Sequence, residues 1–579
     1  MIWYIENYER SQSERETLEA LAARVDWLAP LGWRIDNSLR LIWDADISTA
    51  GRVYKISLRY PNHFPHSPPL VLPRDEKERW SSHQYGDGGE LCLEYGPDNW
   101  HPEVTGADMI TSAHRLLGSE TGNTEERAPA PSRHHTTLGQ ELRFTLGRFL
   151  VTQGLTEFSQ SLEEGTVLSA AVVMLFRKET YTHVMTSVEL LDGTKWLDPG
   201  FPEPLGFEGY ERPSAIGRWP ANAPFPSTDT LAEFKQDCKA ARLEIPEAKK
   251  FVLVSGPEFK AYSLWDDGTV SELSVIPAQE KAVRLDEQHA VLGERKVSLV
   301  GCGSLGSKVA TMLARAGVGR FLLVDDDLML PDNLVRHDLD WRDVGTHKAE
   351  SVARRIQLVN PLAKCELRKH RLGGQESSGS IETLITSLSE SDLIVDCTAD
   401  SSVFNYLCAA VAIGKKSLLW AEVFAGGFGG MIARSRPGLD PDPATVRQII
   451  ENWWRERGHK TEKPAVDYGS TSDEPMVADD ADVSVIAAHA ARMGIDLLIP
   501  REPSAYPDSV YVIGLSKQGI FNSAFETYPI EVGRPAPEAL QTTPNPDEAA
   551  AELRKITQLL TEHKDENSSG AADSQTLTA

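Results

Sequence analysis

The sequence predicts a multidomain chain, α+β in its first half and α/β in its second, on three observations. Near the N-terminus a helical pattern is followed by strand-like runs and then by a single cysteine, Cys92, in a stretch rich in proline and tryptophan. Residues 119–139 are polar, contain prolines and lack apolar periodicity, as a linker does. In the second half an apolar run (Val297 to Val300) enters a turn with Gly301, Gly303 and Gly306, a helical pattern follows, and a further apolar run (Phe321 to Val324) stops at Asp325, Asp326 and Asp327.

Composition bounds the function. The chain has 579 residues, too many for one domain. Its 59 Lys plus Arg against 85 Asp plus Glu give a net charge of -26 without a basic cluster, which disfavours nucleic acid as the main partner. Neither a long apolar run nor a signal peptide is present, so no membrane role is expected. The six cysteines, at 92, 238, 302, 365, 397 and 408, form no C-x-x-C, which argues against a disulfide framework or a cysteine zinc site and for a reducing cytoplasm.

Residues 1–118 read as one domain. Leu18, Leu21, Ala22, Val25 and Leu28 line one face of a helix over 12–28, and strands are expected at Leu39 to Trp43, Val53 to Leu58 and Pro69 to Leu72. The rigid segment YPNHFPHSPPLVLP and then SSHQYGDGGELCLEYGPDNWHP follow, with Cys92 just past a glycine pair and Trp100 and Pro102 behind it. This combination resembles the ubiquitin-conjugating fold, in which a helix precedes a four-stranded antiparallel sheet. The resemblance implies that Cys92 carries a modifier as a thioester, a role suited to a strongly nucleophilic thiolate. The plainer alternative is a buried core cysteine. That family's His-Pro-Asn triplet is replaced by His83, Gln84 and Tyr85. The amide of Gln84 stands where the family places its asparagine and could donate to an oxyanion. His83 reads as a packing or hydrogen-bonding residue, and His134 and His135 as exposed loop rather than metal ligands.

Residues 140–280 form a middle α+β module of unknown role. It has a possible helix at Glu141 to Val151, strands at Val167 to Phe176, Thr182 to Leu191 and Lys250 to Val254, and a proline-punctuated centre. Cys238, in a helical stretch, reads as structural.

Residues 281–540 carry the chemistry. A helix is expected from Lys281 to Leu292. The glycine turn lets backbone approach a phosphate, the helix after it supplies N–H donors, and acidic groups at the second strand's end suit ribose hydroxyls. Glycines in this pattern fit a dinucleotide oxidoreductase equally well. The residues that separate the two are Asn333, Arg336 and Lys348, because an enzyme that expels pyrophosphate needs cations there and a hydride-transfer enzyme does not. GCGSLG, VDDD, DNLVRH, GTHK and DCTAD together resemble the Rossmann-like, ThiF-type adenylating domain of ubiquitin-activating enzymes and of enzymes that activate sulfur-carrier proteins. The resemblance implies ATP and Mg2+ as cofactors, Asp400 as the magnesium ligand, and a homodimer. Asp400 also reads as the N-cap of a helix starting near Ser402, and both roles are compatible. A helix ending at Asn360-Pro361, a strand at Leu393 to Val395 and a helix from Val483 to Leu498 are expected, and FAGGFGGM at 424–431 resembles the family's glycine-rich strand. Cys302, Cys397 and Cys408 read as core. Residues 541–579 are expected to be mostly disordered, with one short helix from Ala549 to Leu560.

Activating enzymes often carry a second cysteine in the loop before their last helices. Here that loop, Pro437 to Asp480, has none, and Ser470 stands where the nucleophile is expected. Three routes are open: an oxyester on Ser470 (less readily Ser472), with Asp467, Asp473 or His489 as base; direct transfer of the adenylate to Cys92; or a cysteine exchanged for serine as a trap. An oxyester is a poorer acyl donor than a thioester, so relay from serine to Cys92 would run uphill. A polar loop serine is the plain alternative. The whole resembles fused conjugating and activating enzymes of bacterial anti-phage operons, CBASS among them. The implied reaction is activation of a ubiquitin-like protein and its transfer to a target amine. A sulfur-carrier adenylyltransferase explains the second half but gives no reason for residues 1–118, and a non-catalytic scaffold is the third reading.

Overall fold

The computed structural model describes residues 2–49, 51–75, 77–80, 84–85, 88–120, 138–143, 145–206, 210–221, 223–245, 249–278, 285–372, 378–458, 478–499, 501–535 and 550–558. The chain divides into two compact units, Met1–Thr145 and Leu146–Ala579.

In the first unit a short helix, Trp3–Glu6, precedes a long one, Tyr8–Arg24, whose N-cap Asn7 accepts the Arg10 N–H at 3.2 Å. Four antiparallel strands follow in sequential order: Leu28–Ile35, Leu41–Thr49, Arg52–Arg59 and Leu70–Pro73. Leu18 and Leu21 face the core as expected. The helix nevertheless stops at Arg24, and Leu28 opens a strand instead of closing the helical face. That strand lies at the sheet edge and is mostly exposed, so it shows no alternation of apolar and polar residues. Glu14 is fully buried and ties three elements together. It accepts from Tyr60 Oη at 2.6 Å and from the Gly106 N–H at 2.7 Å, and it pairs with Arg10 at 2.7 Å. Gly106 begins the helix that follows the sheet, Gly106–Glu120.

The middle residues form a closed sheet. The strand Val167–Arg177 pairs with Tyr210–Arg218 on one side and Thr180–Glu189 on the other, which closes seven strands on themselves and leaves Lys195–Leu197 paired outside the ring to Thr180–Glu189. The expected helix over Glu141 to Val151 is corrected: a short helix, Leu138–Leu142, gives way to the strand Gly147–Leu150. Parallel partners on both flanks, Val270–Ile276 and Thr180–Glu189, override the local helical pattern. Cys238 lies on the helix Leu231–Ala240, packed with Phe234 against Phe251 and Tyr262.

The last sheet has eight strands. Five are parallel, in spatial order Lys364–Arg368, Arg320–Val324, Lys296–Val300, Leu393–Asp396, Ser417–Val423; Gly429–Ser435, Val510–Gly514 and Thr527–Ile530 add antiparallel pairs. Helices Ser304–Ala316, Lys348–Val359 and Asp480–Leu498 cover one face, and Ser378–Ser389, Ser401–Gly414 and Pro443–Glu456 the other. The central strands are buried on both faces, which is why they read as continuous apolar runs. After Lys296–Val300 the chain builds outward first to one side and then to the other, so the C-terminal end of that strand is the switch point where such sheets bind ligands. Ahead of it, a helix is expected over Lys281 to Leu292; residues 281–284 lie outside the described residues, and the described part is a 3-10 helix, Glu287–Glu294, capped by Asp286. FAGGFGGM is a turn with positive φ at Gly426 and Gly427, followed by the first residues of a strand.

Candidate nucleotide site and the Cys92 cavity

The glycine turn sits at the switch point. Gly301 has φ +87°, and a Cβ there would meet Thr398 Cγ2 at 2.9 Å. A Cβ on Gly306 would stand 1.8 Å from the Gly301 carbonyl oxygen. At Gly303 a Cβ would meet nothing within 4 Å. Gly303 is also the N-cap of Ser304–Ala316 and makes no side-chain cap bond, so the helix's first N–H groups are offered to an anion beside that open space. These positions make opposite predictions. Gly306→Ala should destabilise the C-terminal unit by at least about 1–3 kcal/mol, because backbone oxygen cannot move aside. Gly303→Ala should change stability by less than about 0.5 kcal/mol yet weaken ATP binding. Thermal melts with and without ATP read both.

Asp325 and Asp327 stand just past the strand Arg320–Val324 and differ. Asp325 is partly buried; its Oδ2 accepts the Cys302 N–H at 2.6 Å and its Oδ1 the Asp327 N–H at 2.9 Å, latching the turn to the strand end. Burial pushes its carboxyl above the usual range despite these bonds. Asp327 is exposed and pairs with Lys348 Nζ at 2.8 Å; Lys348 opens the helix Lys348–Val359. Asn333 Oδ1 accepts the Leu330 N–H at 3.0 Å, and its carbonyl accepts the His337 N–H at 3.0 Å. Arg336 follows, with its carbonyl held by Lys308 Nζ at 2.9 Å. His337 Nε2 is 2.9 Å from the Cys302 carbonyl; burial first, with Lys348 and Lys308 adding, lowers its pKa to about 4, so it is a neutral donor.

Asp400 caps the helix Ser401–Gly414, its Oδ1 accepting from the Ser402 N–H at 2.7 Å and Oγ at 2.6 Å. Its Oδ2 lies 4.0 Å from Arg371. Burial raises its pKa, but the Ser402 bonds outweigh burial and the carboxyl stays below the ordinary range. It is thus an anionic cap with its second oxygen turned toward a cation. Among the described residues no group of three or more His, Cys, Asp or Glu could hold a metal alone. A single carboxylate shared with nucleotide phosphates is an ordinary Mg2+ arrangement, and Asp400 fits it.

Sequence reasoning missed two features. Lys308 is buried two residues past Gly306, and its only signal was a lysine inside a helix of small and apolar residues. A cavity of ≈ 400 Å³ opens beyond the strand Lys364–Arg368, lined by Arg368, His370 and Arg371. The first of these accepts the Asp325 N–H on its carbonyl at 3.1 Å, so the cavity adjoins the acidic strand end.

In the first unit Cys92 is buried beside a cavity of ≈ 210 Å³ lined by Pro68, Pro69, Tyr95, Pro97 and Asp98 among others. It follows the paired residues Glu90–Leu91, which face Gln84–Tyr85 in a small hairpin. The Gln84 amide closes that hairpin: Nε2 donates to the Gly89 carbonyl at 2.8 Å and Oε1 accepts the Trp80 N–H. Trp100 Nε1 donates to the Pro65 carbonyl at 2.6 Å, fixing the chain that follows the cysteine. Burial pushes the thiols of Cys238 and Cys365 to about 12 and that of Cys408 to about 11, and raises Cys302 and Cys397 further, so these five stay protonated near neutrality. His83, His134, His135, Asp467, Ser470, Ser472 and Asp473 lie outside the described residues. His489 is on the helix Asp480–Leu498, with its pKa lowered by burial and by Arg492.

Fold and turn together define a doubly wound α/β domain with an open glycine turn at its switch point, a candidate nucleotide site. Residues 279–451 match the model of the ThiF family, a match confined to the part of the chain that holds this sheet. A protein of Sinorhizobium fredii, y4oA, is 24% identical over 563 residues, covering 83% of this chain and 88% of its own. The ATP-dependent ubiquitin transferase-like protein Cap2 of Pseudomonas aeruginosa is 29% identical over 149 residues, 24% of this chain and 25% of Cap2, so the match spans about a quarter of that relative. The sulfur carrier protein ThiS adenylyltransferase of Escherichia coli is 31% identical over 151 residues, 26% of this chain and 56% of that protein. Among solved structures, E. coli MccB with ATP aligns at TM-score 0.33 and 18% identity, over 43% of this chain and 67% of MccB. No described helix is long and apolar enough to cross a membrane.

Proposed function

We propose that residues 281–540 adenylate the C-terminal carboxylate of a ubiquitin-like protein and that Cys92 accepts the acyl group and passes it to an amine. The observation that carries the reading is the uncapped helix start at Gly303, open at the Cβ position and bordered by Asp325, Asp327 and Lys348. A carboxylate oxygen of the modifier attacks the α-phosphate of ATP, and pyrophosphate leaves. Lys348 and Arg336 offset the charge on the departing phosphates, and the N–H groups after Gly303 receive a phosphate oxygen. Asp327, exposed, is the better placed acceptor for ribose hydroxyls, while Asp325 holds the turn in shape. The cavity at Arg368 and His370 is large enough for the base. Mg2+, held by Asp400, would supply further charge neutralisation on the phosphates. The Cys92 thiolate then attacks the acyl carbon and AMP leaves; a target amine next displaces the thiol and forms an amide.

Similarity to the Cap2 proteins supports a ubiquitin-like substrate, and the apolar cavity at Cys92 supports an acyl-carrying thiol. The test is ATP–pyrophosphate exchange driven by added ubiquitin-like proteins with free C-terminal carboxylates. Exchange, followed by a thioester on Cys92 that thiols cleave, is the expected result; neither appearing would end the proposal. Mass spectrometry after the same incubation also decides the route. A hydroxylamine-sensitive adduct that thiols leave intact, and that disappears in Ser470→Ala, marks the oxyester. An adduct confined to Cys92 marks direct transfer.

A further inference from the structure

We infer that Lys308 is a positioning residue that sets Arg336 against the phosphates of the nucleotide; the inference rests on the adenylating reading above. Lys308 sits on the second turn of the helix Ser304–Ala316, and its side chain is 5% exposed. Its ammonium makes two bonds, one to the Arg336 carbonyl oxygen at 2.9 Å and one to Asp480 Oδ1 at 2.6 Å. Asp480 is the first residue of the helix Asp480–Leu498, on the same face of the sheet.

A buried ammonium costs desolvation energy unless an anion and acceptors surround it. Asp480 supplies the anion. The remaining bond is directed to the backbone of the one residue in this segment whose side chain is a guanidinium. The segment is fastened to the glycine-turn helix at each following residue as well. His337 Nε2 meets the Cys302 carbonyl at 2.9 Å, the Asp338 N–H reaches Ser307 Oγ at 3.3 Å, and Thr311 Oγ1 donates to Asp338 Oδ2 at 2.7 Å. The helix that offers its N-terminus to a phosphate is therefore the same body that holds the backbone of Arg336. Lys308 makes the bond that lands on Arg336 itself, so the backbone from which the guanidinium springs keeps a fixed spacing from the glycine turn. Side-chain placement to within a fraction of an ångström is what such electrostatic stabilisation requires.

The test uses the full-length protein and two probes, ATP with Mg2+ and AMP, whose affinities are measured by calorimetry. Lys308→Met should weaken ATP about tenfold, as for the loss of one bond from a charged donor, and leave AMP within about twofold. Arg336→Ala should do the same, and Lys308→Met with Arg336→Ala should be no worse than Arg336→Ala alone. Asp480→Asn should act in the same direction by a smaller factor. ATP affinity unchanged in Lys308→Met, equal weakening of ATP and AMP, or additive effects in the double variant would each overturn the inference. Wild-type protein that binds no ATP would instead remove the adenylating reading, so the two failures are distinguishable.

Discussion

Replacing Cys92 by alanine is expected to leave ATP–pyrophosphate exchange at the wild-type rate and to abolish every modifier–target conjugate. The two halves of that outcome come from different places in the chain. Exchange needs only the groups at the switch point of the last sheet, and Cys92 belongs to the other compact unit. Conjugation needs a thiolate, and the other cysteines carry thiols held protonated by burial. None of these can take over the acyl group. Serine at 92 should be more informative still. Its hydroxyl is barely ionised near neutrality, so any oxyester that forms should accumulate because it passes poorly to amines. Stability should change little, since Cys92 lines a cavity and alanine deletes one atom from its wall. Loss of pyrophosphate exchange in Cys92→Ala, with the protein still folded, would contradict this division of labour.

How much of this was legible follows from where each residue buries its side chain. The strands Lys296–Val300, Arg320–Val324 and Leu393–Asp396 are covered on both faces, so apolar runs announce them, and glycines and aspartates mark where they end. The helix Lys348–Val359 ends at Asn360 as Asn360-Pro361 requires. The strand Leu28–Ile35 was hidden because it is an exposed edge, and Gly147–Leu150 because its partners come from distant sequence. Site residues divide the same way. Gly301 and Gly306 are glycine for reasons local to one turn, which a motif captures. The Lys308–Asp480 pair joins residues far apart in the chain, and no spacing rule connects them. Gln84 shows a position whose partners no motif reveals: its amide donates to the Gly89 carbonyl and accepts the Trp80 N–H.

Lys348→Ala should lower the rate of adenylation by about 10²–10³, the scale for removing one preorganised group from a charged transition state. The effect should fall on kcat, because charge grows on the pyrophosphate oxygens as it departs and the ammonium is worth most at that point. Stability should move little, by about 1 kcal/mol or less. Lys348's present partner, Asp327, is 68% exposed, so water replaces the lost bond there, while the lysine side chain is itself 12% exposed, so the loss of its packing on the first turn of the helix sets what change there is. Arginine at 348 should restore only part of the rate. A planar fork cannot occupy the place of a compact ammonium, and the helix start fixes how far the head group can retreat. The argument turns on comparing rate with melting temperature in the same preparation. Exchange within threefold of wild type would remove Lys348 from the phosphates and leave the Asp327 pair as an ordinary surface contact. A fall in rate matched by a fall in melting temperature would assign it to folding instead. Only a slow, stably folded protein agrees with an ammonium whose work begins when the nucleotide arrives.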